Sequence, residues 1–161
     1  MKKLGLLVLL TLLIGCKSKT VVHAPEEVIP KKLEIEKLAL ADVSDIKKAK
    51  AYEMGKRVLI TCNTSKFKPF NESEATATVI KNTTLARLSK TCARFRQYYG
   101  EFKDIELAEI YRDPFQNYTV FRYKALYSKK IANKELRVFM NDEDKVAAIK
   151  SLDWADTFLL K

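Results

Sequence analysis

A chain of 161 residues carrying 30 Lys and Arg against 20 Asp and Glu has a formal net charge of +10, and its length suits one domain with a real core. One histidine (His23) and four ungrouped glycines argue against histidine acid–base chemistry, a zinc site and a glycine-rich phosphate loop. With no G-x-S-x-G elbow either, no catalytic residue, metal or cofactor is expected.

The chain opens with Met1-Lys2-Lys3, runs apolar from Leu4 to Ile14 except at Gly5 and Thr11, and reaches Gly15-Cys16. A basic start, an apolar stretch of about 11 residues and a small residue before the cut make a secretory signal, too short for the ~20 residues that span a bilayer. The tetrapeptide Leu13-Ile14-Gly15-Cys16 resembles the lipobox of bacterial lipoproteins. That resemblance implies that residues 1–15 are removed and that Cys16 becomes an acylated N-terminus holding the protein to a membrane. The alternative is an ordinary signal peptide that happens to contain a cysteine. Lys17 stands where an Asp would mark inner-membrane retention in enterobacteria, so the expected place is the cell envelope, at the outer membrane if the cell is Gram-negative.

Removal of residues 1–15 leaves 146 residues and takes away Lys2 and Lys3 but no acid, so the net charge falls from +10 to +8. This balance suits anionic lipid, anionic glycan or another envelope protein as partner, or simply a solvated lysine surface. An exported protein does not meet nucleic acid. Cys62 and Cys92 are the pair left over. In an oxidising compartment they are expected to form a disulfide, which over a loop of about 30 residues stabilises by ~3–4 kcal/mol in the chain-entropy model. Two buried free thiols are the alternative.

Residues 16–43 lack a clear period and contain Pro25, Pro30 and the mixed charges Lys31, Lys32, Glu34, Glu36 and Lys37, which reads as a tether with room for a helical turn near Leu33–Leu40. The folded domain is expected over 44–161. Ser44 and Asp45 can cap a first helix whose apolar positions Ile46, Ala49, Met54, Val58, Leu59 and Cys62 follow a 3.6-residue period, ended by Asn63-Thr64-Ser65. Asn71 with Glu74 has capping-box spacing and predicts a helix from about Glu72 to Lys81, broken at Asn82-Thr83. A third helix, Thr84 to Tyr99, aligns Leu85, Leu88, Cys92 and Phe95, and Gly100 sits where a C′ glycine belongs.

Four strand-like runs follow, Phe102 to Tyr111, Gln116 to Tyr127, Lys134 to Met140 and Lys145 to Trp154, separated by turn residues. The run Asp142-Glu143-Asp144 lacks the spacing of a calcium loop and reads as a hairpin turn. In the second strand Phe121, Tyr123, Ala125 and Tyr127 share one face and Arg122 and Lys124 the other, with Arg137 and Lys150 as candidates to join the cations. Helices followed by strands give an α+β fold: N-terminal helices on one face of a four-stranded antiparallel meander. The helix-to-strand passage Tyr99-Gly100-Glu101-Phe102-Lys103-Asp104-Ile105 and the hairpin from Val138-Phe139-Met140-Asn141 through Lys145 to Ile149 resemble the cystatin-like architecture of the nuclear transport factor 2 superfamily. The resemblance spans about residues 44–154. It implies a curved sheet around a cavity, in a group whose small bacterial members include secreted and lipid-anchored proteins of unknown role. The Asp/His pair of full-length enzymes in that superfamily is not evident.

Two sets of candidate site residues follow. Phe121, Tyr123 and Tyr127 either line a cavity or fill the core; Arg122, Lys124 and Arg137 either face an anion or are solvated. The expectation is a non-catalytic binding or interaction module held at a membrane. The alternative is a small-molecule enzyme or carrier using a cavity between helices and sheet.

Overall fold

A computed structural model describes residues 33–160; the leader, Cys16, His23 and the tether up to residue 32 lie outside the described residues. Five strands form one sheet in the order β1 (Glu36–Leu38), β2 (Phe102–Asp113), β3 (Tyr118–Tyr127), β4 (Lys134–Met140) and β5 (Val146–Asp153), every neighbouring pair antiparallel. Three helices, α1 (Asp45–Thr64), α2 (Ala77–Asn82) and α3 (Leu85–Tyr99), precede β2. The architecture is α+β.

The fifth strand corrects the expected four. Glu36–Leu38 falls in the stretch read as tether with a helical turn, yet it is extended, with Lys37 opposite Tyr111 and Leu38 opposite Ile110 on the edge of β2. Three residues, two of them charged, are too few to show a period-two pattern, so no sequence signal marks this strand.

Local chemistry starts and stops α1 and α3 where the sequence places them. Ser44 Oγ accepts the Lys47 N–H at 3.3 Å, and Thr84 Oγ1 accepts that of Arg87 at 3.3 Å. Asn63, expected to end α1, lies in its last turn and clamps β2 instead. Its Nδ2 donates to the Phe102 carbonyl at 2.7 Å, and its Oδ1 accepts the Phe102 N–H at 3.0 Å. Gly100 adopts φ 80°, and a Cβ there would meet Ser128 Oγ at 2.1 Å, so the turn from α3 into β2 demands glycine.

Asn71 and Glu74 make their reciprocal bonds: Asn71 Oδ1 accepts the Glu74 N–H at 3.2 Å, and Glu74 Oε2 accepts the Asn71 N–H at 3.1 Å. The helix expected from them does not propagate. Backbone from 74 to 76 pairs with the start of β5, Val146 donating to the Glu74 carbonyl and Thr76 to that of Val146, both at 2.9 Å. Ala75 N–H closes one turn on the Asn71 carbonyl at 3.0 Å, but the Thr76 N–H and the Glu74 carbonyl are taken by Val146 and cannot extend it, so α2 begins at Ala77.

The core lies between α1 and the sheet. Ala51, Met54 and Leu59 pack on Ile105, Ile110, Phe121, Tyr123, Leu136 and Val138, all buried. Gly55 lets α1 lie directly on β4, because a Cβ there would stand 2.8 Å from Leu136 Cδ2. Residues 154–160 have no regular structure and cross the other sheet face as a strap.

Candidate functional site

Strand alternation puts Arg122 and Lys124 of β3, Glu135 and Arg137 of β4, Glu109 and Tyr111 of β2 and Lys37 of β1 on the sheet face away from the helices. Arg122 lies directly opposite Arg137, a repulsive placement unless acids intervene. They do. Glu135 accepts from Arg122 Nε at 2.7 Å and from Arg137 Nε, while Glu109 accepts from Arg122 Nη1 at 2.6 Å and from Lys37 Nζ at 2.7 Å. The strap closes the cluster: Arg122 Nη2 donates to the Ala155 carbonyl and Arg137 Nη1 to that of Leu159. The Trp154 ring lies 3.8 Å from the Arg122 guanidinium carbon. Phe158 stacks on Tyr111 at 3.8 Å and covers Arg137 at 4.5 Å.

These surroundings correct the expectation that Arg122 and Arg137 face an external anion. Arg122 and Glu135 are 0 % exposed and Arg137 3 %, so the chain's own carboxylates and carbonyls serve as their anions. Burial opposes a charge on Glu109, but hydrogen bonds from Lys37, Arg122 and Tyr111 outweigh it and hold the carboxyl at about 2. Burial, together with the hydrogen bond to Glu109, pushes the Tyr111 phenol up. Only Lys124 of the three expected cations is exposed, its ammonium 4.9 Å from the Trp154 ring. The acidic turn forms a hairpin, with Asp142 paired to Arg112 and Asp144 to Lys47, both at 2.9 Å.

The aromatic candidates belong to the core rather than to a cavity. Phe121 and Tyr123 are fully buried beneath α1, and the Tyr123 hydroxyl has no hydrogen-bond partner; burial raises its pKa. Tyr127 is half-buried among Tyr99, Phe102 and Phe95, with ring centroids 5.7 to 6.4 Å apart, and burial pushes it up to about 12. A separate cleft of about 150 Å³ opens below α3, walled by Val58, Leu59, Leu88, Phe95, Leu136 and Ile149 among others. None of the three candidates lines it. Alternation does turn them inward, but Ala51 and Gly55 let α1 approach so closely that no space is left.

Cys62 and Cys92 stand at disulfide distance, with sulfurs 2.11 Å and Cα atoms 4.8 Å apart, and so join α1 to α3. This link matters because α3 has no buried residue; Leu88, Cys92, Phe95 and Tyr99 are half-buried and most others exposed. A second polar group was not foreseen: the Tyr52 hydroxyl donates to Asp104 at 2.7 Å, and Lys56 reaches that hydroxyl at 2.7 Å and Asp104 at 3.2 Å. The hydrogen bond from Tyr52 holds the Asp104 carboxyl below its usual range. Among the described residues no helix is long and apolar enough to cross a membrane, and no three His, Cys, Asp or Glu side chains gather as metal ligands. No family model matches this chain, and neither does any curated protein or solved structure.

Proposed function

We propose that the chain is a lipid-anchored protein of the bacterial cell envelope whose folded part is a non-catalytic binding module, similar in plan to the small cystatin-like proteins of the nuclear transport factor 2 superfamily. One observation carries the reading: the two cysteines left after Cys16 stand at disulfide distance. A disulfide belongs to an oxidising compartment, which is where the lipobox-like Leu13-Ile14-Gly15-Cys16 would send the chain. The order of helices followed by an antiparallel meander supports the likeness in plan.

Intact-mass analysis of the protein from its native cell tests this. The expected species lacks residues 1–15, carries acyl groups on Cys16 and shows no free thiol when denatured without reductant. A chain that keeps its leader, or that titrates two free thiols, overturns the reading. The second reading, a small-molecule enzyme or carrier, draws on the cleft below α3. At about 150 Å³ and with a mainly apolar lining, that cleft suits a small apolar molecule.

A further inference from the structure

We infer that the outer face of α3, together with the tip of the β3–β4 hairpin, is a docking surface for an anionic lipid bilayer. The inference rests on the lipid-anchored reading, since an acyl anchor is what would bring the chain to a bilayer at all. Over its 15 residues α3 carries Arg87, Lys90, Arg94 and Arg96 and not one acid. Arg87, Lys90, Arg94 and Tyr98 recur at spacings of three and four, so they form one line along the helix, about 120° around from the half-buried Leu88, Phe95 and Tyr99. Among the described residues, no carboxylate lies within ion-pair distance of the four cations. Arg87 instead donates to Asn82, and Arg94 lies 5.8 Å from the Tyr98 ring. The nearest acids along the chain and sheet are already paired, Glu101 with Lys103 and Asp153 with Lys134.

The hairpin adds both charge and apolar surface at one end of this line. Lys129 ties it to α3, its N–H donating to the Tyr99 carbonyl at 3.1 Å and its Nζ to that of Gln97 at 2.6 Å. Lys130 and Ile131 then project beside the end of the helix. Tyr98 is 56 % and Ile131 80 % exposed. A soluble polyanion would be served by the cations alone. Exposed tyrosine and isoleucine among the cations suit the headgroup boundary of a bilayer, where apolar groups sink in and lysine and arginine meet lipid phosphate. The complementarity therefore favours lipid over glycan.

The test uses the chain from Cys16 onward with Cys16→Ser, so that no acyl chain contributes. It is sedimented with vesicles of phosphatidylcholine, alone or mixed with phosphatidylglycerol. We expect binding to the mixed vesicles only, weakening as salt rises. Each surface cation contributes about fivefold to such partition, so R87Q/K90Q/R94Q should reduce it about a hundredfold. Ile131→Ser should reduce it about tenfold, and Lys124→Gln, on the opposite sheet face, should leave it unchanged. Unaltered circular dichroism and protected thiols would show that these exposed substitutions leave the fold intact. No binding by the unsubstituted chain, equal loss from Lys124→Gln, or capture by an anionic polysaccharide without capture by vesicles would overturn the inference. None of these results touches the mass and thiol measurements that decide the anchor, so the two ideas fail separately.

Discussion

The two faces of the sheet are built from the same alternating strands but held by different forces. On the helix side, Ile110, Phe121, Leu136 and Val138 meet Ala51 and Met54 through contacts that are non-directional and roughly additive. On the strap side, two arginines and two glutamates share a few hydrogen bonds under Trp154 and Phe158. An apolar interior loses stability in proportion to what is removed. A buried ionic one fails when its count of charges is upset, because the partner left behind has neither counter-ion nor water.

The largest effect should come from Glu135→Ala, which takes the carboxylate from Arg137 and leaves Arg122 to Glu109 alone. A loss of about 3–5 kcal/mol in denaturant unfolding is expected, and a loss below ~1 kcal/mol would erase the contrast between the faces. Next, Cys92→Ser should cost about 3–4 kcal/mol, measured the same way. That loss would come chiefly from the helix side, where α3 has no buried residue to hold it. Third, Gly55→Ala drives a methyl into Leu136, and overpacking of about 1–3 kcal/mol, offset by about 1 kcal/mol of helix propensity, should appear as a small fall in midpoint. A fourth effect concerns pH. The Glu109 carboxyl drops from 4.5 to about 2 on folding, so its contribution is complete above the unfolded value and fades as pH falls from about 4.5 toward 2. Glu109→Gln should flatten that part of an acid titration of stability and leave the helix-side packing unchanged.

The same contrast explains what could be read from the sequence. Apolar periods of 3.6 and 2 are visible in one dimension, so α1, α3 and four strands emerge with ends close to those observed, and β4 is placed at Lys134–Met140 in both. The stripe read for α1 holds at Met54 and Leu59 but not at Ile46 and Ala49, which are exposed. A buried charged face imitates a surface. Arg122 and Lys124 alternate as solvated residues would, and nothing local tells that residues 154–160 will cover the first and leave the second out. One signal was present: Glu135 alternates with Arg137 on β4 and so shares its face, as Glu109 does across the register from Arg122. Cations and acids at matched positions on neighbouring strands point to pairing within the chain. The Asn71–Glu74 pair teaches a second limit, since its capping chemistry forms while the helix yields to pairing with β5. Non-local competition of that kind leaves no trace in a short window.

The strap also bears on biogenesis. Synthesis runs from the N-terminus, so the carbonyls of Ala155 and Leu159 and the rings of Trp154 and Phe158 emerge after every strand they cover. Until they arrive, a nascent chain presents wet arginines in place of a sealed surface. A product cut short before Trp154 would carry that open flank permanently, a mark by which proteases tell unfinished copies from finished ones.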